Sequence, residues 1–187
     1  MSDRRIKTIQ TDFFQSLEFP ANNFLASTPG LNVEKIICDN FIVIEGRQAH
    51  NFTCEYFIHA EDLQRQRIKL IMRDKPSDLQ DAINTAIEEL AEEDNEILDI
   101  QRDDTILENG NKFYCACLIY QPSETPSSGL KVKIFERDNV TDLEKASNTF
   151  LSGGSIVISS IGVLRNDVFL ANGNKIYLCT IPYTELD

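Results

Sequence analysis

The chain contains little of what enzymes and metal proteins usually need. It has no tryptophan, two histidines (His50 and His59) and five cysteines, none of them in Cys-x-x-Cys spacing. Two histidines give little basis for a Ser-His-Asp triad or a Cys-His dyad. The cysteine spacing shows no recognisable pattern of a zinc site or a disulfide framework. The sequence therefore predicts no catalytic residues, no metal site and no cofactor.

Long apolar runs are also absent. No stretch reaches the about 18 apolar residues that a membrane-spanning helix needs. The first residues, MSDRRIKTIQTDFF, carry two arginines without an apolar segment after them, which is not typical of a secretory signal. We expect a cytoplasmic protein with reduced cysteines and no membrane partner.

The chain carries a large excess of negative charge. Asp and Glu number 30 against 18 Lys and Arg, which gives a formal net charge of -12 among 187 residues. Nucleic-acid binding depends mainly on Lys and Arg that neutralise phosphates, so this balance argues against direct binding of nucleic acid.

The chain repeats itself. QRIKLIMRDKPSDLQDAINTAI, beginning at residue 66, matches GLKVKIFERDNVTDLEKASNTFL, beginning at residue 129, and NGNKFYCACLIY matches NGNKIYLCTIPY. A weaker third copy precedes them, in which Asp12 corresponds to Asp74 and Phe52 to Tyr114. The Pro/Ser/Gly-rich segment 121–130 is typical of a linker. These patterns predict three units, at 1–62, 63–121 and 131–187.

Each unit has the order strand, helix, strand, strand. RIKLIMR alternates like a strand, and the next residues form an apolar helical stripe: Leu79, Ala82, Ile83, Ala86, Ile87 and Leu90. Ser77 and Thr141, three residues before Gln80 and Glu144, predict capping boxes. Asn-Gly in ENGN (108–111) predicts a hairpin between the last two strands.

The last strand of the second unit, FYCACLIY, is apolar on both faces and is predicted to be central. A right-handed crossover then gives a three-stranded antiparallel sheet in the order 1-3-2, with the helix on one face. The predicted fold class is α+β, with three tandem β-α-β-β repeats. The second face of each sheet must be covered by a sister unit or a partner chain.

KVKIFERDNVTDLEKASNTFL and GNKFYCACLIY resemble the small Cse-type sporulation-associated protein family of Firmicutes, one β-α-β-β unit at a time. The resemblance implies no enzymatic activity. It leaves open a spore-associated structural protein, although diverged tandem copies also suggest a phage or mobile element.

Three asparagines recur beside the helical stripes, namely Asn22, Asn84 and Asn148. We interpret them as helix-to-strand hydrogen bonds, with a repeated ligand contact as the alternative. Cys115 and Cys117 share one face of the central strand and are interpreted as core residues.

The densest charge lies in EELAEEDNEILDIQRDD, residues 88–104. The partner-binding candidates are its carboxylates: Glu88, Glu89, Glu92, Glu93, Asp94, Glu96, Asp99, Asp103 and Asp104. They predict either a solvated surface or a docking surface for a protein partner with a basic surface, because spaced carboxylates can replace phosphates.

The functional hypothesis is a non-enzymatic interaction protein, encoded by a phage or mobile element, that inhibits a bacterial nucleic-acid-handling or defence protein. A binder of small molecules, such as nucleotide signals, in pockets between units is the alternative. Homo-oligomerisation stays open.

Overall fold

The computed structural model describes residues 4–43, 47–58, 66–106, 112–169 and 173–186. These residues form three α-helices and three antiparallel sheets, an α+β arrangement. The ENGN segment and His59 lie outside the described residues. No helix in these ranges is long and apolar enough to cross a membrane.

The first layer comprises residues 4–58. It contains a short 3-10 helix, one α-helix and a sheet in the order β1-β3-β2. Its elements are β1 (Arg5–Thr11), the 3-10 helix (Phe14–Leu17), α1 (Glu18–Ser27), β2 (Leu31–Val43) and β3 (Arg47–Ile58).

The second layer comprises residues 66–122 and contains the predicted central strand. Its elements are β4 (Arg67–Arg73), α2 (Pro76–Glu92), β5 (Asn95–Arg102), β6 (Thr105–Ile106) and β7 (Lys112–Pro122). The sheet order is β4-β7-β5, with β6 also paired to β7. The strand that is apolar on both faces is therefore central, as the sequence indicates.

The third layer comprises residues 130–186, and its last strand is again central. Its elements are β8 (Leu130–Arg137), α3 (Val140–Ser152), β9 (Ile156–Ile158), β10 (Leu164–Phe169) and β11 (Lys175–Glu185). The order is β10-β11-β8, with β9 also paired to β11.

Helices and sheets alternate through the stack. Leu17 and Leu25 of the first-layer helices share one core with Phe52 of the first sheet and with Ile68 and Cys117 of the second sheet. In the same way, the α2 stripe packs on the second sheet and on Val132 and Leu178 of the third. α3 covers the other face of the third sheet. The open faces of the second and third sheets are thus covered by the helix of the layer before them.

The predicted helix caps are wrong. α2 begins at Pro76 with Lys75 as its N-cap, because proline fits the first helical turn, where its missing N–H costs no hydrogen bond. α3 begins one residue before Thr141, and Asn139 is its N-cap, with a side chain that accepts from the Asp142 N–H at 2.8 Å. Gln80 and Glu144 are consequently free for contacts other than a capping box.

Candidate protein-binding surface

The C-terminal end of α2 and the turn after it carry the predicted acidic surface. The Asn95 side chain, which is 7% exposed, donates to the carbonyls of Leu90 at 3.2 Å and Glu93 at 3.1 Å. Asp94 lies between Glu93 and Asn95 with φ 58, a left-handed conformation that glycine usually takes after a helix. This tight turn leads directly into β5, and Glu92, Glu93 and Asp94 are exposed there although Asn95 is buried.

Five of the nine candidate carboxylates are exposed at this end. We call them the α2 acidic end, and they are Glu88, Glu89, Glu92, Glu93 and Asp94. Glu89 forms an ion pair with Lys69 at 3.1 Å. Within the described part of the chain, the other four have no ion-pair partner. The α2 acidic end is therefore a solvent-facing cluster of largely uncompensated negative charge.

Three further candidates are half-buried and have local hydrogen-bonding roles. Glu96 accepts from the Gln121 side chain at 2.6 Å. Asp99 accepts from the Gln101 side chain at 3.0 Å, which orients that amide towards the first layer. The Asp103 N–H donates to the Cys115 carbonyl at 3.2 Å. These carboxylates contribute less exposed charge than the α2 acidic end.

Asp104 is not on the surface. Its side chain is 1% exposed and pairs at 2.6 Å with the Arg102 side chain, which is 2% exposed. The Cys115 N–H donates to it at 3.0 Å and Asn166 of the third layer donates at 3.2 Å. Arg102 also donates to the Thr180 hydroxyl at 2.7 Å. This network joins the second and third layers, and it excludes Asp104 from any exposed docking surface.

Two of the three recurring asparagines, Asn22 and Asn84, make the helix-to-strand bonds that the sequence predicts, but to the sheet of the next layer. Asn22 of α1 donates to the Ile68 carbonyl and accepts from the Ile68 N–H, both at 2.8 Å. Glu18 accepts from the Leu70 N–H at 2.6 Å. Both helix side chains thus satisfy the free edge of β4 and anchor the second layer on the first.

The same contact recurs between α2 and β8. Asn84 donates to the Val132 carbonyl at 3.3 Å and accepts from its N–H at 2.7 Å. Gln80 accepts from the Ile134 N–H at 3.0 Å. On α3, the corresponding Glu144 and Asn148 are exposed and have no hydrogen-bond partner among the described residues. The contact therefore ends with the third layer.

His50 and the five cysteines lie in the interior. His50 is 3% exposed and packs edge-on against Phe14, and its burial lowers the pKa of the imidazole. All five cysteines are buried and free. The sulfurs of Cys38 and Cys117, from different layers, are 3.0 Å apart.

No group of three or more potential metal ligands is present within the residues that the structure describes. The features that stand out in the described residues are the α2 acidic end and the buried joints between layers. Sequence reasoning located the acidic segment but missed Arg102, because nothing in its neighbourhood marks it as buried. Comparison with protein-family models, curated proteins and solved structures found no match.

Proposed function

We propose that this chain is a non-enzymatic interaction protein whose α2 acidic end binds a basic surface of a protein partner. The observation that carries the proposal is the position of these carboxylates. Five of them lie at one helix end, exposed, and the last turn of the helix contains no basic residue. Complementary charge of this kind steers association and selects partners.

The folding energetics of α2 do not favour this arrangement. Negative charges near a helix C-terminus oppose the helix dipole, typically by about 0.3–1 kcal/mol each. Asp94 additionally adopts φ 58, which is uncommon for any residue other than glycine. Residues that oppose local stability are expected where binding needs them.

In its narrower form, the proposal names the class of partner. Exposed carboxylates spaced along a helix end can occupy sites that otherwise hold phosphates. The partner would then be a bacterial nucleic-acid-handling or defence protein, and this chain, encoded by a phage or mobile element, would inhibit it in the bacterial cytoplasm. The corresponding experiment measures whether this chain displaces nucleic acid from the partner.

We also propose that the stack arose from three copies of one β-α-β-β unit. The shared sheet order supports this, as does a β-bulge in each of the first two layers, between Val33 and Lys35 and between Ile97 and Asp99. The strand registers pair Ile6 with Glu55 and Ile68 with Ile119. When Ile6 is aligned with Ile68, these pairings align Phe52 with Ala116. The sequence alone matches Phe52 with Tyr114, which lies two residues away.

The partner can be identified by photo-crosslinking from the surface itself. A photoreactive amino acid at Glu92 should capture a host protein, while the same group at Asp138, an exposed carboxylate away from the α2 acidic end, should not. Recovery of the same proteins from both positions would contradict the proposal.

Charge reversal then tests the mechanism with the purified partner. Replacing Glu88, Glu92 and Glu93 by lysine should slow association at least tenfold, since charge complementarity acts mostly on that rate. The matched control reverses three exposed carboxylates elsewhere, Asp12, Asp138 and Glu144. Wild-type association should also slow as salt is raised, because exposed charges more than about 8–10 Å apart are already largely screened at physiological ionic strength and this distance shortens with added salt. Equal effects from both sets would reduce the α2 acidic end to a solvated surface.

A further inference from the structure

A groove in the third layer has chemistry opposite to that of the chain as a whole. It lies between β8 and α3 and has a volume of about 490 Å³. The rings of Phe135 and Phe150, whose centroids are 5.8 Å apart, form its apolar part. Its volume falls within the about 300–1,000 Å³ range typical of small-molecule sites. We call it the third-layer groove.

Cations predominate at this groove. Lys133, Arg137 and Lys145 line it, against one carboxylate, Asp142. None of the three cations forms an ion pair with another residue in the described ranges. Asp142 already accepts a hydrogen bond from the Asn139 side chain at 2.7 Å. A chain of net charge -12 thus presents a local concentration of positive charge beside two aromatic rings.

The corresponding groove of the second layer, between β4 and α2, is lined by two cations, Lys69 and Arg73, and by one carboxylate, Glu89. Lys69 lines it and pairs with Glu89 at 3.1 Å, and Gln15 of the first layer also lines it. By the alignment of the two layers, Gly153 stands where Glu89 is, and Lys145 stands where Asp81 is. These two replacements leave the third-layer groove with three cations that are unpaired within the described ranges, whereas the second-layer groove has two cations, one of them paired with Glu89.

The groove of the first layer is filled differently. The Phe24 ring packs edge-on against Tyr56, with centroids 5.4 Å apart, and the Lys7 ammonium lies 6.0 Å from the Phe24 centroid. There the cation rests on an aromatic ring of its own layer. The third-layer groove thus has more lining cations than the groove of the second layer, and none of them is paired within the part of the chain that the structure describes.

We propose that the third-layer groove binds a small organic phosphate that carries a planar ring. The guanidinium of Arg137 suits bidentate contact with phosphate oxygens, and Lys133 and Lys145 add point charges. The Phe135 and Phe150 rings offer an apolar surface for the ring of the ligand. A mononucleotide has this chemistry. Binding here is independent of the proposed function of the α2 acidic end.

Isothermal titration of the full chain with AMP, GMP, CMP and UMP tests the proposal. At least one should bind saturably at one site below about 1 mM, since a specific site of this size with several charge-assisted contacts exceeds that affinity. Ribose 5-phosphate and the matching nucleoside should each bind about tenfold more weakly, because each lacks one half of the recognised chemistry.

Two variants locate the site. Lys145→Asp restores the residue of the second layer and should weaken binding at least tenfold, as should Arg137→Ala. Arg73→Ala, the matched substitution in the second layer, should leave the affinity unchanged. Thermal unfolding of each variant without ligand checks that the fold is intact.

Three outcomes would overturn the proposal. One is the absence of saturable binding by all four nucleotides up to about 5 mM, where sites of ordinary affinity are filled. Another is equal loss of affinity in Arg73→Ala and Arg137→Ala. The last is a single-stranded oligonucleotide that binds more than tenfold tighter than any mononucleotide, which would indicate a polymer-binding surface instead.

Discussion

The two joints between layers share their first contact and differ in their second. In each, an asparagine of the preceding helix, Asn22 or Asn84, binds the edge strand of the next sheet. The first joint is completed by Gln101, whose amide donates to β2 at 2.6 Å and accepts from it at 2.9 Å. The second is completed by the buried ion pair of Arg102 and Asp104.

The same architecture therefore accommodates either a neutral or a charged joint between layers. The two kinds of joint should differ in how much stability a single substitution removes. A neutral amide that is removed leaves two backbone groups without partners, which costs about 1–3 kcal/mol. Removing one member of a buried ion pair leaves a charge unpaired in the interior, although the intact pair need not stabilise the fold. The second joint should therefore be the more sensitive to single substitutions.

Breaking the ion pair should have the largest effect. Asp104→Leu is expected to lower the free energy of unfolding by about 3–5 kcal/mol, because Arg102 remains buried without its partner. Urea unfolding followed by circular dichroism measures this change. The double variant Arg102→Met/Asp104→Leu should recover much of the loss, since it removes both charges.

Gln101→Ala is the matched substitution in the first joint, with an expected loss of about 1–3 kcal/mol. If it destabilises the chain as much as Asp104→Leu does, the distinction between a neutral and a charged joint fails.

Acid should weaken the first layer through His50. Burial lowers the pKa of this imidazole below its ordinary value of 6.5, so the unfolded chain takes up the proton first. The unfolded state then binds more protons, and the stabilisation, complete above about pH 6.5, declines as the pH falls. Unfolding free energies at about pH 7.5 and about pH 5.5 should differ less in His50→Gln than in the wild type. An unchanged difference would place the acid sensitivity elsewhere.

The contact between the Cys38 and Cys117 sulfurs in the first joint can be tested by the alkylation rate of Cys117, without a substitution that alters stability. Burial, reinforced by the Cys38 thiol, raises the pKa of the Cys117 thiol well above its usual value. The reactive thiolate is therefore scarce, and alkylation at neutral pH should proceed only as fast as the chain opens. Mass spectrometry of pulse-alkylated native protein measures this. Rapid labelling of Cys117 would show that the joint is open in solution.

The elements that the sequence predicts well are those set by local pattern. The stripe from Leu79 to Leu90 recurs at helical spacing and is buried, and the doubly apolar β7 is central. Both follow from the rule that apolar surfaces must be covered. The role of Asn22 and Asn84 was also predictable, since each lies just outside an apolar stripe.

The features that were missed depend on residues far apart in the chain. Asp104 belongs to an acidic run, and its burial depends on Arg102, Asn166 and the Cys115 backbone. The charge of the third-layer groove depends partly on an absence, since Gly153 stands where Glu89 pairs with Lys69 in the second layer. Sequence patterning measures local preference and cannot supply such pairings.

The most direct test of the stacked arrangement compares Asn84→Ala with Asn148→Ala in urea. Asn84 joins two layers, so its loss should cost about 1–3 kcal/mol by leaving the Val132 backbone groups unpaired. Asn148 occupies the same place on α3 but is exposed, and its replacement should change stability by less than about 0.5 kcal/mol. Equal losses at both positions would contradict the conclusion that these helix-to-strand joints hold the layers together and end at the third.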